Sequence, residues 1–534
     1  MSRYRILVAD KIAREGLTPI ADDPRFTLIE RPGLKEDALA EALSEADAVI
    51  VRSATRITRV ALGRTTSLKV IGRAGVGVDT IDVDAATEKG IAVMNAPAGN
   101  TISAAELAFA LLLAVVRQVP AADRSMKDGQ WDRSSFSGTE LYGKTLGLVG
   151  AGRVGGEVAR RAQAFGMTVV GYDPFLSQDA ARSLGIRLES LEEVLRSADV
   201  LSLHVPLTES TKGLLGEAQL ALMKSEAVII NAARGGVLDE AALLRRLQEK
   251  RLAGAALDVF EKEPLPADHP LRKLPNVVLT PHLGASTEEA QLNVALEIAQ
   301  AIRAALVHGD LSGAVNAPFV VGDRVHRLRP LLSMAQRLGR LAAALTDGAI
   351  TSVEIRFGGD EDFLRPLAAG AVAGLLADVV GPAGVNVVNA LHLAKTRGIE
   401  VDRTRIDTNR DYAEFIEVRA TGSGRSSRVA GALLAEGHPR VVRIGDFRLD
   451  VVPRGMLVLL RNRDVPGVIG RVGSLLGDAG INIAEYHQAR LSAGGEALAA
   501  ISVDSALKPE ALGALRSLPE VLDARQVQFD PVGL

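Results

Sequence analysis

The stretch GKTLGLVGAGRVGGEVARRAQAFGMTVVGYDP, residues 143–174, constrains the fold more than any other. Thr145–Val149 reads as a buried strand, and Gly150, Gly152 and Gly155 then form a G-x-G-x-x-G turn. Glu157–Phe165 has helical spacing, and Thr168–Tyr172 reads as a second strand ending at Asp173. A glycine turn followed by a helix N-terminus presents backbone N–H groups that bind phosphate. The first glycine permits the turn, the second lets the backbone approach a pyrophosphate, and the third lets helix and strand pack closely. Asp173 follows Gly155 at about 18 residues, near the spacing at which a carboxylate meets a ribose. The stretch therefore reads as a dinucleotide site; the other reading is a turn that serves packing alone.

Before this stretch, Arg5–Ala9, Phe26–Glu30 and Ala48–Val51 read as strands, separated by helical stretches at Ile12–Ile20 and Lys35–Glu45. Such alternation predicts a parallel α/β sheet. Ligands of parallel sheets sit beyond the carboxyl ends of the strands. Arg52, Ser53, Arg73, Gly75 and Val76 fall at such ends and suit a carboxylate or phosphate, unless each arginine is only a solvated charge. Asn100–Val116 predicts a long apolar helix, capped by Thr101 or Ser103, with Glu106 completing a box from Ser103. The only tryptophan, Trp131, reads as a packing residue, with a hinge or interface anchor as the other reading.

After the glycine turn, strands are expected at Asp199–Leu203, Ala227–Ile230, Ala253–Leu257 and Val277–Thr280. One sheet edge then collects Asp173, Val205, Arg234, Asp258 and His282. Ser286 and Glu289 have capping-box spacing ahead of a helix to about Val307, which returns the chain to the first lobe. Residues 319–453 hold no chemical motif. Helices are expected at Leu331–Leu345 and Phe363–Val380, and strands at Ser352–Phe357, Tyr412–Ala420 and Val441–Val451. The last stretch reads β-α-β-β-α-β, a ferredoxin-like order.

The expected fold class is α/β. Two doubly wound parallel-sheet lobes, one of them Rossmann-type, precede an α+β domain and a small ferredoxin-like domain. The expected boundaries are 1–99 (completed by 286–318), 100–285, 319–453 and 454–534.

Oxidising a 2-hydroxy acid needs a cation for the carboxylate, a base for the hydroxyl proton and a hydride acceptor. Arginine holds a carboxylate bidentately. Histidine titrates near neutrality, and a carboxylate beside it fixes its ring. Arg234, Glu263 and His282 follow successive strands of the nucleotide lobe and fit these three needs. Asp173 would accept hydrogen bonds from ribose hydroxyls and repel a 2′-phosphate. Pro174, Phe175 and Leu176 supply no compensating cation, which favours NAD over NADP.

Composition narrows the alternatives. The chain has no cysteine, which excludes disulfides and thiol catalysis. A net charge of -3 gives no reason to expect nucleic acid or an anionic membrane. Eight histidines occur with no paired spacing, so no metal site is expected. The longest apolar run, Leu107–Val116, is about ten residues, too short to span a bilayer. MSRYRILVAD reads as a strand rather than a signal peptide. A cytoplasmic location is expected.

NAARGGVLDEAAL, ALDVFEKEPLP and TPHLGAST resemble three signature segments of the D-isomer-specific 2-hydroxyacid dehydrogenases. With VRSATRIT, GRAGVGVD and the two C-terminal domains, the whole chain resembles the long form, which carries an intervening domain and an ACT domain. The resemblance implies Arg234 as substrate anchor, Glu263 as partner carboxylate and His282 as acid/base. It implies NAD contacts at Arg153, Val154, Asp173, Val205, Ala232, Ala233, Arg234, Asp258, His282, Leu283, Gly284 and Ala285. It further implies 3-phosphoglycerate as substrate, the first step of L-serine synthesis, with phosphate near Arg52, Ser53 and Arg73. DVPGVIGRVGSLLGDAGINIAEY resembles the ACT pattern, in which Asp464, Gly467 and Asn482 would bind L-serine as effector between paired domains. A homo-oligomer, a tetramer by resemblance, is expected. Three alternatives stay open: a glyoxylate or hydroxypyruvate reductase, a non-enzymatic NAD-sensing interaction protein, and a pure amino-acid sensor using the ACT domain.

Overall fold

The computed structural model describes residues 3–320, 324–381, 384–407, 412, 414–434 and 437–529. The first sheet holds β1 (Tyr4–Val8), β2 (Phe26–Glu30), β3 (Ala48–Val51), β4 (Val70–Arg73) and β5 (Ala92–Asn95), in the order β2-β1-β3-β4-β5. All its pairings are parallel. The central strand β3 is apolar and buried throughout, as expected where helices cover both faces of a parallel sheet. The order reverses between β1 and β3, so a crevice opens beyond their carboxyl ends, at Asp10 and Arg52.

The helix α1 (Thr101–Val116) crosses to the second lobe and packs there through Ala105, Ala108, Leu112 and Val116. Its start differs from expectation. Asn100 is the N-cap and makes no side-chain cap bond. Glu106 pairs instead with Arg161, 3.1 Å away, so no capping box forms at Ser103.

The second sheet holds β6 (Thr145–Val149), β7 (Thr168–Tyr172), β8 (Arg187–Leu188), β9 (Val200–Leu203), β10 (Val228–Asn231), β11 (Gly254–Leu257) and β12 (Val277–Leu279). Its order is β12-β11-β10-β9-β6-β7-β8, all parallel. The helix α2 (Arg153–Ala164) follows the glycine turn. The order reverses between β6 and β9, which places the turn at the switch point of a doubly wound sheet.

The helix α3 (Glu288–His308) returns to the first lobe, burying Val294, Ile298 and Ile302 against Ile6 and Met94. Thr287 caps it by accepting the Ala290 N–H at 3.1 Å, in place of the expected Ser286–Glu289 box. Near the N-terminus the expected helix 12–20 is only a 3-10 turn, Arg14–Leu17, and one α-turn, Thr18–Ala21. Gly16 there lies under α3: a Cβ would meet the Ala295 Cβ at 2.5 Å.

Beyond residue 320, α4 (Arg324–Leu345) and α5 (Leu364–Val380) pack on a six-stranded mixed sheet. Its strands are β13 (Ile350–Gly358), β14 (Glu400–Arg405), β15 (Phe415–Gly422), β16 (Ser427–Leu433), β17 (Pro439–Ile444) and β18 (Phe447–Val451), in the order β14-β13-β15-β16-β17-β18. The expected strand 441–451 is a hairpin, turned at Gly445, whose φ is 56°. Of the expected strand 412–420, residue 413 lies outside the described residues, and β15 begins at Phe415.

The last unit comprises β19 (Gly455–Arg463), α6 (Val468–Asp478), β20 (Ile483–Arg490), β21 (Glu496–Val503), α7 (Pro509–Arg516) and β22 (Val521–Phe529). Its antiparallel order, β20-β21-β19-β22, is the expected ferredoxin-like arrangement. Alternate residues of β19 split between two cores. Leu457 and Leu459 join the core under α4, whereas Val458 and Leu460 meet α6 and α7.

Among the described residues, one helical segment, Glu361–Val380, is long and apolar enough to cross a membrane, and 72% of it is buried inside the protein.

Candidate active site

The glycine turn meets each requirement read from its sequence. Gly150 has φ 92°, and a Cβ there would lie 2.8 Å from the His204 carbonyl and 2.9 Å from Val205. Gly152 caps α2 without a side chain and faces open space, leaving the first helical N–H groups, with Arg153 and Val154, beside a free volume. A Cβ on Gly155 would lie 2.3 Å from the Gly150 carbonyl oxygen, so only glycine allows helix and strand this close. Asp173, at the end of β7, accepts the Ala151 N–H and the Phe175 N–H, each at 2.9 Å. Its carboxylate is thereby fixed beside the turn. This donor set fits a dinucleotide: N–H groups for the pyrophosphate and a fixed carboxylate for a ribose.

Across the same sheet edge, three loops carry the candidate reacting groups. Nδ1 of His282 lies 2.8 Å from Oε2 of Glu263. Burial pulls the Glu263 carboxyl upward, but the His282 hydrogen bond and charge, the Phe260 N–H and Arg234 outweigh it and hold the group below the ordinary carboxylate range. The Phe260 N–H donates to Oε1 at 3.1 Å, so both carboxylate oxygens are held. His282 itself has φ 57°, a conformation uncommon for a side-chain-bearing residue. Its N–H donates to the Asp258 carbonyl at 2.9 Å.

Asp258, expected as a cofactor contact, is fully buried, and its carboxylate takes the Thr280 hydroxyl at 2.6 Å, the Leu283 N–H at 2.8 Å and the Gly284 N–H at 3.0 Å. It clamps the 280–284 loop and so holds the His282 backbone. Burial pushes its carboxyl upward against those donors. In the same loop Leu283 is partly exposed, Gly284 is buried and Ala285 is half-buried.

Arg234 is held by residues that sequence reasoning missed. Asn231, 2% exposed, accepts the Ala233 N–H at 3.1 Å and donates to the Arg234 carbonyl at 2.9 Å. Its position at the end of β10 was the one available signal. A Cβ on Gly235 would lie 1.9 Å from the Phe260 carbonyl oxygen. The loop carrying Arg234 therefore touches the loop carrying Glu263, with Ala232 and Ala233 between Arg234 and the sheet.

The Arg234 guanidinium also reaches the first lobe. Its Nε lies 3.5 Å from Asp79, and its Nη2 would crowd a Cβ on Gly77 at 2.4 Å. Arg73 is mostly buried there. Burial, with the charges of Arg234 and Arg52, pushes it down to about 10. Asp10 fixes the strand end by accepting the Arg52 and Thr55 N–H groups, and the Arg52 guanidinium lies 3.5 Å from Gln291 of α3. Ser53 is exposed at the tip. Three guanidiniums thus share one crevice, which suits a ligand with more than one negative charge. Of the expected set, the Gly75 N–H donates to the Arg73 carbonyl at 2.8 Å, inside its own turn. The Val76 carbonyl accepts from the Asn95 side chain at 2.6 Å, which ties this turn to the end of β5.

The ACT-type residues do not meet within one chain. Asp464 accepts the Gly494 N–H and an Arg490 nitrogen, each at 3.3 Å. Gly467, φ 87°, caps the start of α6. Asn482 lies beyond the far end of that helix and donates to Asp504 at 2.8 Å. The 11 residues of α6 separate the two corners by roughly 16 Å.

Two parallel lobes, a glycine turn at a switch point and a histidine–carboxylate pair facing an arginine define a nicotinamide-dependent dehydrogenase of 2-hydroxy acids. Residues 109–284 match the family described as D-isomer specific 2-hydroxyacid dehydrogenase, NAD binding domain. Residues 327–445 match the D-3-phosphoglycerate dehydrogenase intervening domain, and residues 456–520 match the ACT domain. The D-3-phosphoglycerate dehydrogenase of Bacillus subtilis is 41% identical over 529 residues, covering 98% of this chain and 100% of the relative. That of Methanocaldococcus jannaschii is 40% identical, with 98% and 100% covered. Among solved structures, the TT0316 protein from Thermus thermophilus is similar with a TM-score of 0.54 at 38% identity, over 58% of this chain and 99% of that one. The D-lactate dehydrogenase from Aquifex aeolicus, solved with NAD and lactic acid, has a TM-score of 0.51 at 30% identity, over 58% of this chain and 98% of that one. The chain belongs to the D-3-phosphoglycerate dehydrogenase family, and its cofactor is NAD.

Proposed function

We propose that this site oxidises 3-phospho-D-glycerate to 3-phosphooxypyruvate, the first step of L-serine synthesis. The observation that carries the reading is the convergence of Arg52, Arg73 and Arg234 on one crevice beside the His282–Glu263 pair. Arg234 holds the substrate carboxylate through its planar fork. Arg52 and Arg73, with Ser53 and the Val76 N–H, hold the phosphate on the first lobe. Nε2 of His282, the ring nitrogen that Glu263 does not engage, takes the proton from the C2 hydroxyl. Glu263 orients the ring and stabilises the imidazolium that forms. NAD, when bound, accepts the hydride from C2. Gly150, Gly152, Arg153, Val154, Gly155, Asp173 and Val205 would hold it, with Ala232, Ala233 and residues 282–285 at the nicotinamide end. The Arg234–Asp79 contact between lobes supports closure of the cleft over the substrate.

The proposed division of the chain remains 1–99 with 286–318, 100–285, 319–453 and 454–534. The three family matches fall within its last three units.

The effector reading is L-serine, bound between the ACT units of two chains. It rests on the separation of Gly467 and Asn482, which lets one amino acid touch both corners only when a second copy supplies one of them. A second pairing surface is available on the segment after α1. Trp131 is 78% exposed and Tyr142 80%, so the expected packing role for Trp131 is corrected to an unpartnered apolar surface. Two distinct two-fold pairings together build a homotetramer. The cysteine-free sequence suits the reducing cytoplasm proposed for it.

The test is NADH formation from 3-phosphoglycerate at alkaline pH, with and without L-serine. Turnover should favour the phosphorylated acid over D-glycerate, and Arg52→Ala should raise KM for it at least about tenfold, the scale of a lost charge-assisted contact. Equal turnover of both acids by the unaltered enzyme would sink the assignment.

A further inference from the structure

The helix α4 has two unlike faces. Leu331, Met334, Ala335 and Leu338 are buried in the core of the intervening unit. Ser333, Gln336, Arg337 and Arg340 follow the i, i+3, i+4, i+7 spacing of one helical stripe and form the other face. This polar stripe is only partly exposed. It borders a cavity of about 700 Å³ between α4, α5 and the first lobe. That volume lies within the range of small-molecule sites.

The cations around the cavity are not equally satisfied. Lys69, from the first lobe, lies 3.4 Å from Asp47 and 5.2 Å over the Tyr4 ring. Lys89 donates to the Gly63 carbonyl at 3.2 Å. Arg340 pairs with Asp378 at 2.7 Å. Among the described residues Arg337 has no such partner: it forms no ion pair, and its Nε is buried without an acceptor. Burial holds its pKa below that of a free guanidinium. A half-buried cation without an acceptor is costly unless something outside the chain supplies one. The rest of the lining is largely apolar and includes Leu306, Phe319, Val387 and Phe529. Lys69, Lys89 and Arg340 are engaged within the chain, which leaves Arg337 as the cation for a head group, and the apolar wall suits a hydrocarbon body.

We propose that this cavity binds an amphiphilic organic carboxylate, with its head on Arg337 and its apolar body against Phe319, Val387 and Phe529. The site is separate from the nucleotide cleft and from both corners of the ACT unit. Its walls come from the first lobe, the intervening helices and the last strand, β22. A ligand there contacts the substrate lobe and the regulatory sheet at once, so its binding is linked to any motion between them.

The test uses the full chain with saturating NAD, which fills the nucleotide cleft without adding fluorescence. Titration with 8-anilinonaphthalene-1-sulfonate, an apolar anion, should give one saturable site per chain. Octanoate should displace the dye, and inorganic phosphate should not. Arg337→Met should weaken the dye at least tenfold and leave turnover unchanged. Ala377→Leu, which fills the cavity from α5 without altering charge, should abolish dye binding, and it keeps the test decisive if the arginine variant does not fold. Absence of saturable binding, unchanged affinity in a folded variant, or displacement by phosphate as effective as by octanoate would each overturn the proposal.

Discussion

Nδ1 of His282 is hydrogen-bonded to Oε2 of Glu263 at 2.8 Å, although the two residues sit on loops after different strands. The bond leaves Nε2 as the free ring nitrogen. Asp258 holds the histidine loop and the Phe260 N–H holds the carboxylate, so each partner is fixed separately. His282→Ala should lower kcat at least about a hundredfold, the usual scale for a general acid–base group. Glu263→Gln should lower kcat by less, because the amide still accepts from the ring while losing its charge. Steady-state kinetics on both variants checks the order, and equal losses would contradict it.

The contact between Gly235 and Phe260 couples the arginine to that pair. A Cβ at Gly235 would sit 1.9 Å from a backbone oxygen, which no side-chain rotation relieves. In Gly235→Ala the loops bearing Arg234 and Glu263 must separate. Displacements near 1 Å at reacting groups cost about a hundredfold in rate. The expected result is a large fall in kcat with the affinity for NAD, measured by calorimetry, kept within about threefold. An equal loss of NAD affinity would point to unfolding of the whole lobe.

Asp173 is the residue proposed to set the cofactor preference. It accepts two backbone N–H groups, which fix its carboxylate where a ribose hydroxyl is expected. Asp173→Ala removes the acceptor and the charge that repels a 2′-phosphate. KM for NAD should rise at least about tenfold, the scale of one or two hydrogen bonds to a charged group. The ratio of kcat/KM between NAD and NADP should narrow by a similar factor. An unchanged ratio would show that the discrimination lies elsewhere.

The strand ends were legible because buried parallel strands are short apolar runs, and Arg52, Arg234 and His282 follow their runs within three residues. The glycine roles were legible because the spacing of Gly150, Gly152 and Gly155 is itself the geometric requirement. Caps were less so. Ser286 and Thr287 are both capping residues, and only the direction in which the chain enters α3 selects Thr287. The segment Ser427–Leu433 went unread as a strand because its small residues carry no strong strand pattern. Asn231, Gly235 and Asp258 act through contacts with other loops, and such contacts leave no periodic signal in the chain.

His204 gives the site a pH dependence distinct from that of catalysis. It follows β9, beside the glycine turn, and Nε2 lies 2.9 Å from the Ser202 hydroxyl. Burial pushes it down to about 4, so the native protein keeps it neutral through mildly acidic conditions. In the unfolded chain a histidine takes a proton near pH 6.5. Between about pH 6.5 and 4 the unfolded state therefore binds more protons, and stability falls as pH falls through this window. Below about 4 both states are protonated and this contribution is flat. The loss from this one group is at most about 3 kcal/mol. His204→Gln keeps a hydrogen-bonding side chain but cannot titrate. Urea denaturation across the window should show a shallower decline for the variant than for the parent, with the two slopes alike above pH 7. Parallel declines throughout would show that other groups govern the acid sensitivity of the nucleotide lobe.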